Sequence, residues 1–335
     1  MNASKNILTD QFGRDHSYLR ISLTERCNLR CTYCMPSDGA SLSPKSHIMT
    51  ADELFAIAKT FVDNGVTKIR LTGGEPLVRK DAAAILKQLA TLPAELAITT
   101  NAVSVDRFID TFKECGIHNI NVSLDSLNAE KFQEITRRNY FEKVYNNILL
   151  LVKNGFNIKL NVVLIKDFND NEIIDFIKLT KVLPITIRFI EFMPFDGNKW
   201  DLKKMVSLQE ILDTVNSEFK SNSVLRLQDA KNDTSKNYRI NDYKGTFAII
   251  SSVTNPFCDS CNRLRLTANG QIKNCLFSAE ESDLLTSFRN GKDIQPIIQK
   301  AVLSKLKIRG GMDTLEKLKE PNLHTKNRSM VAIGG

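Results

Sequence analysis

Short apolar runs alternate with longer amphipathic stretches along the N-terminal part of the chain. Runs rich in Ile, Val and Leu are typical of strands buried on both faces. They predict six strands, at Tyr18–Leu23, Lys68–Leu71, Leu96–Thr99, Asn119–Leu124, Ile158–Ile165 and Thr186–Glu191. Helical spacing predicts helices between them, at Ala51–Asn64, Lys80–Thr91, Val105–Cys115, Phe141–Asn154 and Asp170–Val182. The repeated units predict an α/β fold with a parallel sheet, curved into an incomplete (β/α)6 barrel.

The pattern changes in the C-terminal third of the chain, after the polar stretch Gln228–Asn237. Four short strands are predicted there as antiparallel, at Tyr238–Asn241, Thr246–Ser252, Asn262–Thr267 and Gln271–Phe277. Asn269-Gly270 supplies a hairpin turn for the last pair, and Asp293–Lys307 is predicted as a helix. We therefore expect two domains, a partial barrel over residues 1–220 and an α+β domain over residues 221–335.

Polar motifs follow several of the predicted barrel strands. They are Thr72-Gly73-Gly74-Glu75-Pro76, Thr99-Thr100-Asn101, Ser123-Leu124-Asp125 and Glu191-Phe192-Met193-Pro194. Active sites of such barrels lie at the carboxyl ends of the strands. The motifs therefore predict one site at that mouth. The two glycines are compatible with a backbone that approaches a ligand closely, or with a simple turn.

Six of the seven cysteines fall into two triplets. Cys27, Cys31 and Cys34 have the spacing C-x3-C-x2-C, which suits an iron–sulfur cluster with one iron left open. Structural zinc normally takes four ligands, and an odd cysteine count does not favour a disulfide framework. Cys258, Cys261 and Cys275 would by themselves suggest an incomplete zinc knuckle. Beside the first triplet, they predict a second cluster whose open iron could bind a substrate atom.

Composition excludes some classes of protein. The 335 residues are 42% hydrophobic and 25% charged, as in globular proteins. No apolar run approaches the roughly 20 residues that span a bilayer, and no secretory signal is evident. We expect a cytoplasmic protein, because free thiolates require a reducing compartment. The net charge of +8 permits an anionic partner, but scattered basic residues and a single tryptophan do not favour nucleic acid.

Several basic residues are candidates for binding that anion. Arg263 and Arg265 point to one face of a predicted strand and could hold a phosphate chain, or lie on a solvated face. Arg20, Arg70 and Lys159 lie on predicted barrel strands, where a buried charge needs a partner or a ligand. There is no G-x4-G-K-[ST] motif, so the chain is not expected to bind nucleotide through a P-loop.

Together these motifs resemble those of a known enzyme family. The motifs are the first cysteine triplet with Tyr33 and Met35-Pro36, the Gly73-Gly74-Glu75-Pro76 run, the arrangement Cys258-x2-Cys261-x-Arg263-x-Arg265, and the terminal Gly334-Gly335. They are similar to those of the GTP 3′,8-cyclases of molybdenum cofactor biosynthesis, within the radical S-adenosylmethionine (SAM) superfamily. The first motif gives only the superfamily. The second triplet, its arginines and the Gly-Gly tail indicate the family.

The resemblance implies a radical SAM barrel closed by a C-terminal domain, two [4Fe-4S] clusters and SAM. Cys27, Cys31 and Cys34 would hold the cluster that reduces SAM, and Cys258, Cys261 and Cys275 the cluster that meets guanine. Tyr33, Gly74, Ser123 and Met193 match SAM-contacting positions. The positions that match GTP contacts are Arg20, Arg70, Thr99, Lys159, Arg263 and Arg265. The catalytic positions implied are Arg263, Arg265 and the tail residues Gly334 and Gly335.

The reaction implied by the resemblance starts from a 5′-deoxyadenosyl radical that removes the ribose 3′ hydrogen of GTP. The 3′ carbon then attacks C8 and gives (8S)-3′,8-cyclo-7,8-dihydroguanosine 5′-triphosphate. Implied partners are an external electron donor and the downstream cyclic pyranopterin monophosphate synthase, while a homodimer is left open. The chain departs from the family pattern at Ala102, where glycine is common, and over Ala301–Lys319.

Two other functions are compatible with parts of this sequence. A peptide-modifying maturase also has a radical SAM barrel and additional clusters, but it often has more cysteines in its C-terminal part. A zinc-stabilised nucleic-acid-binding module would suit the basic pI of about 9.0. Metal analysis would distinguish the second alternative, because zinc would replace iron.

Overall fold

A single twelve-stranded sheet organises this computed structural model, which describes residues 6–36, 39–320, 323 and 327–334. The strands are β1 Tyr18–Ser22, β2 Lys68–Thr72, β3 Glu95–Thr100, β4 Asn119–Ser123, β5 Asn157–Leu164, β6 Thr186–Glu191, β7 Val224–Arg226, β8 Lys236–Ile240, β9 Thr246–Ile250, β10 Arg263–Leu266, β11 Gln271–Lys273 and β12 Ser282–Asp283. Their order in the sheet is β12-β11-β10-β1-β2-β3-β4-β5-β6-β9-β8-β7.

Helices connect the strands. The α-helices are α1 Ala51–Asp63, α2 Ala82–Leu89, α3 Ile109–Glu114, α4 Ala129–Thr136, α5 Phe141–Lys153, α6 Ile173–Leu179, α7 Leu208–Glu218, α8 Leu285–Arg289, α9 Gln295–Leu303, α10 Leu315–Lys319 and α11 Met330–Ile333. Short 3-10 helices occur at Lys45–His47, Pro76–Val78, Val105–Phe108, Asp170–Glu172, Leu202–Lys204, Ser221–Ser223 and Arg309–Gly311. Within the described residues, no helix is long and apolar enough to cross a membrane.

The six predicted barrel strands are confirmed as β1 to β6, each within about a residue of its predicted bounds. They pair in parallel and in sequence order, so their carboxyl ends meet at one edge. Their apolar side chains are almost fully buried, as in Leu19, Ile69 and Ile120. Successive buried positions in β2, β3 and β4 match the predicted burial on both faces. β1, β5 and β6 instead alternate between buried and less buried positions.

Local signals fix the ends of the longest helices. Thr50 caps α1 in a capping box with Glu53, as predicted from the sequence. Gly155, with φ of 77°, follows the end of α5. The predicted helices at 105–115 and 170–182 are shorter than expected, because each begins as a 3-10 turn before α3 and α6. Helices α4 and α7 were not predicted.

The prediction that all the C-terminal strands are antiparallel is wrong for two of them. β9 pairs in parallel with β6, and β10 pairs in parallel with β1. β9 is apolar at successive positions and β10 at alternate positions. Each pairs with an edge strand of the barrel sheet, so the edges of β6 and β1 are covered. The β8–β9 and β10–β11 pairings are antiparallel as expected, with the hairpin turn at Gly270, where φ is 72°. The short strands β7 and β12, which were not predicted, pair antiparallel with β8 and β11.

Continuation of the sheet on both edges decides where the site lies. The first cysteine triplet follows the carboxyl end of β1, at the mouth of the barrel. β10 pairs in parallel with β1 with Arg263 opposite Tyr18, so the second triplet lies on the side of the amino end of β1, and one cavity connects the two triplets. The sheet runs across the boundary expected at residue 220. That boundary stays a prediction.

Glu191 joins the two halves of the chain at this mouth. It is fully buried at the end of β6 and accepts hydrogen bonds from the backbone N–H of Val253 at 2.8 Å, of Thr254 at 3.0 Å and of Leu208 at 3.3 Å. The Thr254 hydroxyl also donates to it. One carboxylate therefore satisfies several buried donors that have no ladder partner.

We expect Glu191→Ala to lower the free energy of unfolding by about 3 kcal/mol, because it leaves those buried N–H groups without acceptors. Urea denaturation of the purified protein measures this change. The control is Glu218→Ala, which removes an exposed ion pair with Lys178 and should cost less than about 1 kcal/mol. A loss for Glu191→Ala as small as the control's would contradict this role.

Candidate active site

One cavity inside the barrel is lined by both cysteine triplets. Its lining includes one triplet from the N-terminal part of the chain, Cys27, Cys31 and Cys34, and one from the C-terminal part, Cys258, Cys261 and Cys275. Residues from each of the barrel strands also line it, among them Arg20, Thr72, Thr99, Asn121, Asn161 and Arg188. The structure thus brings together in space two motifs that lie more than two hundred residues apart in sequence.

The first triplet is held by close backbone contact with the Gly73-Gly74 turn. Gly74 N donates to Thr24 O at 2.7 Å, and Glu75 N donates to Arg26 O at 2.8 Å. A Cβ on Gly74 would lie 2.4 Å from Arg26 O, and one on Gly73 would lie 2.7 Å from Thr24 O. Glycine is needed at both positions because the segment leading into Cys27 packs directly against this backbone.

The thiols of the first triplet have N–H donors around them. Leu29 N donates to Cys27 Sγ at 3.4 Å, and Asn101 Nδ2 lies 3.8 Å from the same sulfur. Burial raises the pKa of Cys27 to about 11 and raises those of Cys31 and Cys34 further. Buried thiols of this kind become thiolates when a metal supplies the compensating charge.

The second triplet has stronger positive charge beside it. Lys305 is buried, and its Nζ donates to Cys261 Sγ at 3.4 Å, while Arg309 N donates to Cys258 Sγ at 3.4 Å. Although burial acts to raise the pKa of Cys261, Arg263 and Lys305 lower it to about 6. Lys305 was not identified from the sequence, where it is one basic residue in a run of several. A buried ammonium needs an anion.

Both triplets fit an iron–sulfur cluster with three protein ligands. Each offers three thiols, and the N–H···S hydrogen bonds around them are a feature that tunes such clusters. Among the described residues, no three His, Cys, Asp or Glu side chains converge on a position for one metal ion. The fit therefore rests on the thiols and their donors.

Arginines make the floor of the cavity strongly cationic. Arg20, Arg263 and Arg265 line it, as expected from the sequence. Arg188 lines it too and donates to Asn161 Oδ1 at 2.6 Å. Arg188 was missed, although the period-two rule places it on the same face of β6 as Ile190, which also lines the cavity. Within the described residues, the Nε atoms of Arg20 and Arg188 are buried without a hydrogen-bond partner.

Two predicted basic residues lie beside the cavity wall rather than in it. Arg70 is turned toward Tyr18, with its Nε 2.5 Å from the Tyr18 hydroxyl and its Nη1 donating to Ile98 O at 2.9 Å. Lys159 is near enough to Arg188 and Arg70 that its pKa is lowered, chiefly by burial and then by their charge. Both therefore belong to the same electrostatic group as the lining arginines.

Repulsion within this group is visible in the pKa values. Burial, followed by the charges of Arg70 and Arg20, lowers the pKa of Arg188 to about 9. Burial and the charge of Arg20 lower that of Arg265 to about 9. Tyr18 responds oppositely: burial acts to raise its pKa, but Arg70 and Arg20 lower it to about 7. An anion bound here would relieve the repulsion.

The four expected SAM positions, Tyr33, Gly74, Ser123 and Met193, also line the cavity, as does Thr99. Tyr33 donates to Asp125 at 2.8 Å, and burial raises the pKa of Asp125 to about 6. Glu75 of the turn is buried and accepts hydrogen bonds from Leu77 N, Thr100 Oγ1 and Asn101 N. Burial raises the pKa of Glu75 to about 7.

The C-terminal tail enters the cavity region. Gly334 has φ of 90°, and a Cβ there would lie 2.7 Å from Thr72 Oγ1 and 3.0 Å from Ser22 Cβ. Arg265 Nη1 donates to Gly334 O. The sequence alone also allowed a frayed terminus, whereas this segment is buried. Gly335 lies outside the described residues.

Comparison with known proteins places the chain in a family. Residues 21–180 match the Radical SAM superfamily, and residues 185–310 match Molybdenum Cofactor Synthesis C. A curated relative, GTP 3′,8-cyclase, mitochondrial, of Arabidopsis thaliana, is 46% identical over 100% of this chain and 85% of its own length. The chain belongs to the GTP 3′,8-cyclase family.

Other family members agree. GTP 3′,8-cyclase of Listeria welshimeri is 43% identical over 89% of this chain and 91% of its own length. Molybdenum cofactor biosynthesis protein 1 of Homo sapiens is 43% identical over 97% of this chain. The chain spans 51% of that human relative, so the human protein contains much that has no counterpart here.

Solved structures support the fold. Streptococcus suis SuiB matches with a TM-score of 0.62 over 88% of this chain and 69% of its own, at 16% sequence identity. SuiB bound to S-adenosylmethionine matches with a TM-score of 0.58 over 94% of this chain and 77% of its own, at 17% identity. At this identity the likeness shows the radical SAM fold alone, and the curated relatives favour the cyclase over a maturase.

We expect Gly74→Ala to prevent the first triplet from binding its cluster, because the new methyl group would displace Arg26 and the segment entering Cys27. Iron and sulfide analysis after anaerobic reconstitution should show a loss of about four irons per chain. Gly116→Ala is the control: its φ of 63° adds backbone strain of about 1 kcal/mol, but nothing lies within 4 Å of its Cβ position. Iron content equal to that of the unaltered protein would contradict the role of Gly74.

Proposed function

We propose that this chain converts GTP to (8S)-3′,8-cyclo-7,8-dihydroguanosine 5′-triphosphate, the first step of molybdenum cofactor biosynthesis, using SAM and two [4Fe-4S] clusters. The observation that carries the proposal is the meeting of two thiol triplets and a group of buried arginines at one cavity. The thiols there could hold iron–sulfur clusters, and the arginines could bind a polyanion. The family relatives named GTP 3′,8-cyclase support GTP as the substrate.

Cys27, Cys31 and Cys34 would hold the cluster at which SAM binds. The cluster and SAM together would supply radical chemistry when bound. Tyr33, Gly74, Ser123 and Met193 would contact SAM. Cys258, Cys261 and Cys275 would hold the second cluster, whose open iron suits a guanine atom. Lys305 supports this assignment because its buried ammonium, 3.4 Å from Cys261 Sγ, is compensated by an anionic cluster.

The triphosphate would be bound by the cationic floor. Arg263 and Arg265 alternate with Leu264 on β10 and face the cavity together. Bidentate hydrogen bonds from guanidinium groups suit phosphate oxygens. Arg20, Arg70, Thr99 and Lys159 complete the set predicted from the sequence, and Arg188 adds a further cation. Binding would remove the repulsion among these groups.

The tail would close the site. Gly334 lies against Ser22 and Thr72, and its carbonyl accepts a hydrogen bond from Arg265. Gly334, Gly335, Arg263 and Arg265 are therefore our proposed catalytic set. A closed, dry cavity would protect a reactive intermediate from side reactions.

The setting of the reaction is part of the proposal. A cytoplasmic location would keep the thiols reduced, and an external donor would supply electrons. The product would pass to the cyclic pyranopterin monophosphate synthase. The family resemblance supports this succession, and a homodimer remains open to measurement.

The triple variant Cys258→Ser, Cys261→Ser and Cys275→Ser should lose about four of about eight irons per chain and keep the remainder. The reason is that serine does not replace thiolate as a cluster ligand, while the first triplet is unchanged. Iron, sulfide and zinc analysis of the reconstituted protein measures this. Zinc lost in place of iron would contradict a second cluster.

The cyclase assignment predicts that GTP stimulates 5′-deoxyadenosine formation from SAM under dithionite at least about tenfold. Occupancy of the cationic floor should position the ribose for hydrogen abstraction, while guanine should meet the second cluster. ATP, which has the same triphosphate but a different base, should therefore not substitute, and neither should a peptide. Anaerobic assays quantify 5′-deoxyadenosine with each addition. Equal formation with and without GTP would reject GTP as the substrate and leave the radical SAM fold in place.

A further inference from the structure

The tail segment of residues 327–334 is too short to keep its conformation without contacts to the rest of the fold. Its helix, α11, has four residues, too few to be stable alone. Val331, Ala332 and Ile333 are buried, and Met330 lines the cavity. Seating Gly334 beside Arg265 therefore depends on contacts that the preceding residues make with the rest of the fold.

Arg328 supplies such a contact from the start of the segment. Its Nη2 lies 2.6 Å from Glu281 Oε2, and its Nη1 lies 3.8 Å from Glu25 Oε1. Nη1 also donates to Asn269 Oδ1 at 3.0 Å, in the hairpin turn between β10 and β11. The neighbouring Asn327 donates to Leu276 O at 2.9 Å. The guanidinium thus lies between two carboxylates of different segments.

Each carboxylate belongs to the surroundings of a different triplet. Glu25 comes two residues before Cys27, is buried, and accepts hydrogen bonds from Ser43 N and Ser43 Oγ. Glu281 follows Cys275 along the chain and lies 3.7 Å from the buried Lys273 ammonium. Both acceptors are therefore fixed before Arg328 reaches them.

The geometry requires arginine. A planar guanidinium can address three acceptors in different directions at once, whereas a lysine ammonium is a point charge on a flexible stem. Removing it would take away the cation beside the buried Glu25 and leave Glu281 with the more distant Lys273 ammonium, at 3.7 Å. Their repulsion would then oppose closure at the place where the tail enters.

We propose that Arg328 is a positioning residue that seats the C-terminal tail only when the segments carrying both triplets are in place. Its contact with Glu25 depends on the position of the first segment, and its contact with Glu281 depends on the position of the second. Tail closure over the cavity is thereby coupled to the assembly of both cluster-binding segments. The inference rests on the proposed function in one respect, namely that the seated tail is needed for turnover.

The test compares Arg328→Gln with the unaltered protein after anaerobic reconstitution. Hydrogen–deuterium exchange at residues 329–334 should become at least about tenfold faster, because the segment loses its anchor. The kcat for GTP consumption should fall about tenfold, whereas the Kd for GTP should change less than about twofold, since the cationic floor is intact. Iron content should stay unchanged, and Arg328→Lys should recover part of the exchange protection.

Arg289→Gln is the matched control. Arg289 also binds a carboxylate and a backbone carbonyl, at 2.7 Å from Glu53 Oε1 and 2.7 Å from Ser46 O, but far from the tail in sequence and contacts. Tail exchange in Arg328→Gln no faster than in this control would overturn the proposal, as would a loss of GTP affinity without a loss of kcat. If Arg328→Gln does not fold, Glu281→Gln must show the same faster tail exchange.

The exchange comparison also separates this inference from the proposed function. Exchange is measured without reference to any substrate. If the unaltered protein consumes no GTP, the proposed function fails, while tail exchange still decides whether Arg328 anchors the segment.

Discussion

Repulsion among buried cations is the constraint on which the rest of the cavity depends. Arg20 and Arg265 lie on the neighbouring strands β1 and β10, and Arg188 lines the same cavity from β6. The carboxylates that line the cavity, Glu75, Asp125 and Glu191, are each engaged by hydrogen-bond donors, and the charge of Asp233 offsets the repulsion at Arg188 only in part. Burial and mutual charge lower the pKa values of these arginines. Such an arrangement is costly without an anion and favourable with one.

The two thiol triplets also lie where a buried charge needs an opposite charge. Lys305 and Arg263 beside Cys261 place positive charge where the proposed second cluster would carry negative charge. The close approach of Gly73-Gly74 to the backbone of Thr24 and Arg26 then fixes the first triplet relative to the cationic floor. On the proposed function, the cluster, SAM and nucleotide positions would be set by turns packed against the strand ends, which suits radical transfer over a short distance.

Much of this was accessible from the sequence because the motifs are local. Cysteine spacing, the capping box at Thr50 and the six apolar strands each depend on a few adjacent residues. What the sequence did not reveal depends on long-range pairing. The parallel pairing of β9 and β10 with the barrel, the role of Arg188, and the lysine at 305 beside Cys261 follow only once distant segments meet. Helix α4 was missed although Asn128 caps its start and Phe132, Ile135 and Thr136 share its buried face, because only two turns carry this signal.

The most direct test of the central claim is the melting temperature of the reconstituted protein at constant ionic strength with GTP, tripolyphosphate or guanosine. If relief of cation repulsion dominates, GTP and tripolyphosphate should each raise it by several degrees at saturation, and guanosine should raise it much less. If guanosine stabilises the protein as much as GTP while tripolyphosphate has no effect, the buried arginines do not form the anion site described above.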